Sequence, residues 1–250
     1  GISGLANEAV TISDTSQAVA ALNTLDSNTT GEVNAATVTT ITGATAAVNT
    51  AYASRGINGL ENEAVTISDT SLAVAALNTL DDNTSGTVNA ATVTTLTGTL
   101  SAANTAYASS GISGLANEAV TVSDDGSVTA ANLNTLDSAT SGTVTASSVT
   151  AVTGTLSAAN TAYASSGISG LGDEAVTVSD DGSVAAANLN TLDSATSGTV
   201  TASSVTTITG TTAAANTAYA SSGISGLANE AVTISDTSQA VAALNTLDGN

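Results

Sequence analysis

The phrase that opens the chain, Gly1-Ile2-Ser3-Gly4-Leu5, returns in close variants at Gly56, Gly111, Gly167 and Gly223, and this tandem repetition limits the fold more than any other property. The starts are almost evenly spaced, so repeats occupy 1–55, 56–110, 111–166 and 167–222, with half of a fifth at 223–250, in one continuous array. The extra residue of the third and fourth repeats falls where Ser123-Asp124-Asp125-Gly126-Ser127 and Ser179-Asp180-Asp181-Gly182-Ser183 replace Ser13-Asp14-Thr15-Ser16, and an insertion confined to one spot marks a loop. Each repeat divides again. Thr11-Ile12-Ser13-Asp14 is echoed by Thr40-Ile41-Thr42-Gly43, and the pair returns at Thr66 and Thr95, so a longer spacing alternates with a shorter one. One structural turn is therefore about 27 to 28 residues, a solenoid coil that buries its apolar face only by stacking on its neighbours.

Within a half-repeat the pattern reads as strand, then helix. Val10 and Ile12, with Val38 and Ile41 in the other half, lie in β-branched stretches bounded by Gly and Asp, which favours short strands. Asp14-Thr15-Ser16-Gln17 has the spacing of a capping box and precedes Ala18, Ala21, Leu22 and Leu25 at helical intervals. Val48, Ala51 and Tyr52 repeat that periodicity, with Gly56 as the expected stop. Strand and helix units running in one direction require parallel strands joined by right-handed crossovers. The expected fold is a right-handed α/β solenoid, a parallel strand plus a short helix per coil; an all-β solenoid is the alternative. With 4 Tyr, no Phe and no Trp, the core must consist of Val, Ile, Leu and Ala. Ile12, Ile41, Ile67, Leu96, Val122, Val152, Val178, Ile208 and Ile234 are expected to form one buried column.

Charge narrows the partners. One Lys or Arg, Arg55, stands against 21 Asp and Glu, a formal net charge of -20. Such a chain repels nucleic acid and anionic membrane surfaces, both of which are bound through Lys and Arg. It suits a salty, divalent-rich medium that screens self-repulsion. No apolar run long enough to span a bilayer is present, so no membrane insertion is expected. With no His, Cys or Lys, and the candidate acids Glu8, Asp14 and Asp26 recurring from repeat to repeat rather than standing singly, no enzyme is expected.

The acids form three ladders: Asp14, Asp69, Asp124, Asp180 and Asp236; Asp26, Asp81, Asp137, Asp193 and Asp248; and Glu8, Glu63, Glu118, Glu174 and Glu230. Calcium takes several oxygen ligands, which makes the Asp14 ladder the candidate metal position and calcium the one candidate cofactor. The competing reading is that Asp14 and its relatives cap helices while the other acids face water. The Gly-Gly-x-Gly-x-Asp nonapeptide of calcium-loaded β-rolls is absent. Thr11/Ser13, Thr40/Thr42, Thr66/Ser68 and their relatives share an outer face if the residue between them points inward, a rank that resembles the ice-binding face of some antifreeze proteins; Ala151-Val152-Thr153 breaks it. Tyr52, Tyr107, Tyr163 and Tyr219 read as packing residues with one wet end.

Gly86-Thr87-Val88-Asn89-Ala90, Leu22-Asn23-Thr24-Leu25-Asp26 and the stretch from Ala106 to Leu115 resemble repeat tracts in giant exported cell-surface proteins of marine cyanobacteria, of the swimming-motility, hemolysin-like and adhesin type. That resemblance implies secretion and a place at the cell surface or in extracellular fibres. It carries over no ligand-binding residue. The expected function is a structural stalk or filament segment, the alternative a ligand-binding array ordered by calcium or facing ice. Ile2, Leu5, Leu244 and Leu247 repeat interior residue types at both ends, so the ends are expected to be joints contacting neighbouring repeats or further copies end to end.

Overall fold

The computed structural model describes Gly4 and residues 6–249, so the expectations placed on Ile2 and Leu5 lie outside the described residues. The chain divides into two units, Gly1–Thr121 with Ala139–Gly142, and Val122–Ser138 with Thr143–Asn250. Each is an α/β solenoid of strand and helix half-repeats, and the all-β alternative falls away.

In the first unit every strand pairing is parallel. Ser16–Ala18, Thr40–Gly43, Ala64–Ile67, Val88–Asn89 and Ile112–Ser113 form a five-stranded sheet, Val10–Thr11, Val33–Asn34 and Ile57–Asn58 a three-stranded one, and Ser71–Ala73 pairs with Thr95–Gly98. The second unit repeats the arrangement. Ser127–Thr129, Ala151–Gly154, Ala175–Val178, Val200–Thr201 and Ile224–Ser225 form five strands, Ser183–Ala185, Thr207–Gly210 and Ala231–Ile234 three, and Val144–Thr145 pairs with Ile168–Ser169.

Helices alternate between two kinds. The first half-repeat supplies Val19–Asn28, Val74–Asn83, Ala130–Ala139, Ala186–Ala195 and Val241–Asp248; the second supplies Thr45–Ala53, Leu100–Ala108, Leu156–Ala164 and Thr212–Ala220. The first kind is rich in Ala and Leu and the second in Ala, the strongest helix formers among apolar residues. The first kind turns leucines inward, with Leu77, Leu80, Leu189 and Leu192 at 0% exposure, whereas the second buries Ala103, Ala106, Ala159 and Ala162. Small alanines let the second helices lie close to the strands, which keeps the layers thin without aromatic filler.

The register corrects the expected column. Ile12, Ile41, Ile67, Leu96, Val122, Val152, Val178 and Ile208 are all buried, and Ile234 is half-buried, but they do not face one another across the ladder. Ile41 stands opposite Gln17 and Val65, and Val65 opposite Val88. In the second unit the inward row runs Val128, Val152, Val176, Val200, Ile224. Strand partners such as Ser16 and Thr40, or Val65 and Val88, lie closer along the chain than the starts of successive helices at Val19, Thr45, Val74 and Leu100. The ladder slips backward against the helices at each step, so no single repeat position stays in one column. This slip explains why the sheets end and restart: Ser16–Ala18 directly precedes its helix, whereas Ile112–Ser113, four strands along the same sheet, follows one.

Two local readings also change. The helix expected after Asp14-Thr15-Ser16-Gln17 starts at Val19, but Ser16–Ala18 is a strand and Ala18, at the N-cap, makes no side-chain cap bond. Asp14 instead accepts from Gln17 Nε2 at 3.1 Å. The helix before Gly56 closes at Ala53, with Ser54 extended and its N–H bonded to the Ala51 carbonyl at 3.2 Å. Gly56 has a different use, described below.

Candidate functional site

Three recurrent clusters hold successive half-repeats together, and they absorb most of the acidic residues. The first lies at the N-termini of the second-kind helices. Asp69 Oδ2 accepts from Thr45 N at 2.7 Å and from Thr45 Oγ1 at 2.8 Å, although Asp69 comes 24 residues later. Asp180 accepts from Leu156 N and Asp236 from Thr212 N, each at 2.6 Å. The first turn of a helix leaves backbone N–H groups unpaired and carries partial positive charge, so a carboxylate there satisfies both. Thr99, Thr155 and Thr211 add an ordinary N-cap from the helix's own chain, each accepting from the amide three residues on at 3.2 Å. Within the Asp14 ladder, Asp69, Asp180 and Asp236 act as caps, each for the helix of the preceding coil rather than its own. Asp14 pairs locally, and Asp124 occupies the equivalent loop of the third repeat.

The second cluster corrects the third ladder. Glu63, Glu118 and Glu174 do not face water; their exposures are 0%, 0% and 1%. Each accepts from a tyrosine hydroxyl eleven residues earlier: Tyr52 and Tyr107 at 2.8 Å and Tyr163 at 2.9 Å. Turn amides add a second donor, Glu61 N to Glu63, Ala116 N to Glu118 and Gly172 N to Glu174, although Glu174 Oε1 stays buried without a partner. A buried carboxylate is tolerated when donors surround it in this way. Burial, reinforced by the neighbouring glutamate, pushes the Tyr52, Tyr107 and Tyr163 hydroxyls well above the usual tyrosine range. Thr84, Thr140 and Thr196 donate to the glutamate backbone carbonyls at 2.8 Å. Each also accepts from a glycine amide two residues on, Gly86, Gly142 or Gly198. That glycine is obligatory. A Cβ on Gly86 would overlap the Glu63 carbonyl.

The third cluster uses the second ladder. Ser54, Ser109, Ser165 and Ser221 donate to Asp26, Asp81, Asp137 and Asp193 at 2.6 to 2.8 Å, across 28 residues. Each serine accepts in turn from the amide of Gly56, Gly111, Gly167 or Gly223 at 3.0 Å. A Cβ on that glycine would overlap the aspartate Oδ1, so a larger residue there would push the carboxylate off its serine.

The outward rows are polar and small. On the five-stranded sheet of the second unit, Thr129, Thr153, Thr177, Thr201 and Ser225 stand opposite one another on successive strands, and Ser225 Oγ donates to Thr201 Oγ1 at 3.3 Å. In the first unit the corresponding row is Ala18, Thr42, Thr66, Asn89, Ser113. The Thr-x-Ser residues do flank an inward side chain, as at Thr66-Ile67-Ser68, but the ladder register regroups them into rows that the sequence echo does not give.

Among the described residues no three acidic side chains gather closely enough to hold a metal ion, and no helix is long and apolar enough to cross a membrane. Comparison with protein-family models, curated proteins and solved structures found no match.

Proposed function

We propose that the chain is a structural segment, a stalk or filament element of a large secreted cell-surface or extracellular fibre protein, without catalytic activity. The observation that carries this reading is the regular recurrence of coil-to-coil fastenings. Ladder acids, hydroxyls and glycines recur in gripping the neighbouring half-repeat, and none of these is singular as a catalytic group is. The strong acidity and the resemblance to exported repeat tracts support a place outside the cell. Pulling single molecules by their ends tests the proposal. Unfolding is expected in steps that are multiples of one half-repeat, and a whole repeat releases roughly 180 to 200 Å of extended chain. A featureless extension at negligible force would overturn it.

A second reading, surface binding with ice as the ligand, is favoured by the in-register hydroxyl row from Thr129 to Ser225. Thermal hysteresis of the purified chain decides it. Loss of hysteresis on Thr177→Leu supports this reading, and its absence from the unaltered chain refutes it. Calcium ordering, the other form of a binding array, predicts a melting temperature that falls on chelation.

A further inference from the structure

One glycine near the start of each repeat is fixed by backbone geometry. Gly59, Gly114, Gly170 and Gly226 have φ of +79°, +88°, +82° and +85°, the left-handed region that favours glycine. A Cβ on Gly59 would lie 2.7 Å from Ala36 N, and one on Gly114 equally close to Ala91 N. The residue before this glycine varies. It is Ser113, Ser169 and Ser225 in the later repeats and Asn58 in the second. Asn58-Gly59 is the one asparagine-glycine step in the sequence, and the other asparagines between 7 and 245 precede Thr, Glu, Ala or Leu.

Asn58 ends Ile57–Asn58, the outer strand of the three-stranded sheet, which pairs on one side only, with Val33–Asn34. Val33 N donates to Gly56 O and Ala35 N to Asn58 O, both at 2.8 Å. Asn34, opposite Asn58 in the ladder, has its carboxamide tied down, as has Asn89; each Oδ1 accepts from the amide two residues on at 3.0 Å. The Asn58 carboxamide is exposed, and among the described residues no hydrogen bond holds it.

We infer that Asn58-Gly59 is a self-modifying site, where the chain converts its own carboxamide to aspartate and isoaspartate, and that the isoaspartate form releases the Ile57–Asn58 strand from Val33–Asn34. The Gly59 nitrogen attacks Asn58 Cγ, and the new C–N bond closes a succinimide ring. The Cγ–Nδ2 bond breaks, and ammonia leaves with the Gly59 amide proton. One water then opens the ring. Addition at Cγ gives aspartate on the original main-chain path, whereas addition at the Asn58 backbone carbonyl routes the chain through Cβ and Cγ as isoaspartate. Extended backbone keeps the Gly59 nitrogen away from Cγ, so ring closure follows local opening, which is least costly at a short edge strand. Without a Cβ, Gly59 leaves its nitrogen open to the reaction. Isoaspartate adds a main-chain atom between the Ala35–Asn58 bond and the close packing of Gly59 on Ala36. The chemistry needs no partner and does not depend on the array serving as a stalk.

The test ages the 250-residue chain in warm, mildly alkaline buffer, maps its peptides by mass and reads isoaspartate with an isoaspartyl methyltransferase. Conversion at Asn58 is expected to be at least about tenfold faster than at Asn34 or Asn89. Hydrogen exchange at Val33 and Ala35, whose amides donate to Gly56 and Asn58, should quicken in the aged chain. Asn58→Ser, which installs the residue of the later repeats, should show neither the mass gain nor the faster exchange. An Asn58 that stays intact, yields no isoaspartate, or converts no faster than Asn34 and Asn89 overturns the site. Isoaspartate at Asn58 with unchanged exchange at Ala35, or equally quickened exchange in the aged Asn58→Ser chain, overturns release of the strand.

Discussion

Asp69, Glu63 and Gly86 carry three different duties that a reading of residue types treats alike, as polar or small and therefore outside. Removing the cap with Asp180→Ala is expected to lower stability by about 1 kcal/mol, the usual worth of an N-cap, measured by urea unfolding. No change would mean that Thr155 alone suffices for that helix. Tyr107→Phe strips a donor from the buried Glu118 carboxylate and is expected to cost about 1 to 3 kcal/mol. Alkali should act on the same pairs. The folded hydroxyls hold their protons above the ordinary value of 10.0, whereas an unfolded tyrosine loses its proton there, so the unfolded state binds fewer protons. The contribution is complete below pH 10 and is lost as pH rises above it. A melting temperature that stays level from pH 9 to 11 would contradict this. The capping role of the Asp14 ladder was legible from residue type, but its target was not, because Asp69 and Asp180 each cap a residue 24 positions upstream. Glu63 was misread since ionisable residues are seldom fully buried unless paired, and nothing in the local sequence ties it to Tyr52.

At the scale of elements, the alternation of strand and helix and the spacing of successive helices were legible from periodicity, because turn residues and β-branched runs act locally, but the extra strands at Ser16–Ala18 and Val33–Asn34 were not. Register was not. The sequence echo makes Thr11, Thr40 and Thr66 equivalent positions along the chain, whereas hydrogen bonding sets Thr40 opposite Ser16 and Ala64 instead. Two kinds of half-repeat, one presenting leucine and the other alanine, must therefore alternate. Deleting residues 56–110 removes a complete pair and is expected to leave one cooperative melting transition with little change in midpoint. Deleting residues 29–55 alone sets two leucine-bearing halves together and removes the Thr29, Gly31 and Ser54 fastenings. Its midpoint is expected to drop by roughly 5 to 15 °C, given the usual conversion for chains of this length. Calorimetry on the two deletions checks the asymmetry, and equal losses would show that the halves are interchangeable.

For the molecule as a whole, a net charge of -20 with one cation means that the packed chain holds like charges together without compensating partners. Added sodium chloride is therefore expected to raise the melting temperature steadily from low ionic strength to about 0.15 M, where the screening length is about 8 Å. The direction of the fastenings has a further result. Thr84 reaches back to Glu63, Asp69 to Thr45 and Ser109 to Asp81, so in each case the later residue completes the earlier coil. A polypeptide that emerges N-terminus first from a ribosome or an export pore then sets like a zip fastener. Each newly arrived stretch locks the one before it, backsliding becomes harder with every coil, and only the most recent arrival stays free to retreat.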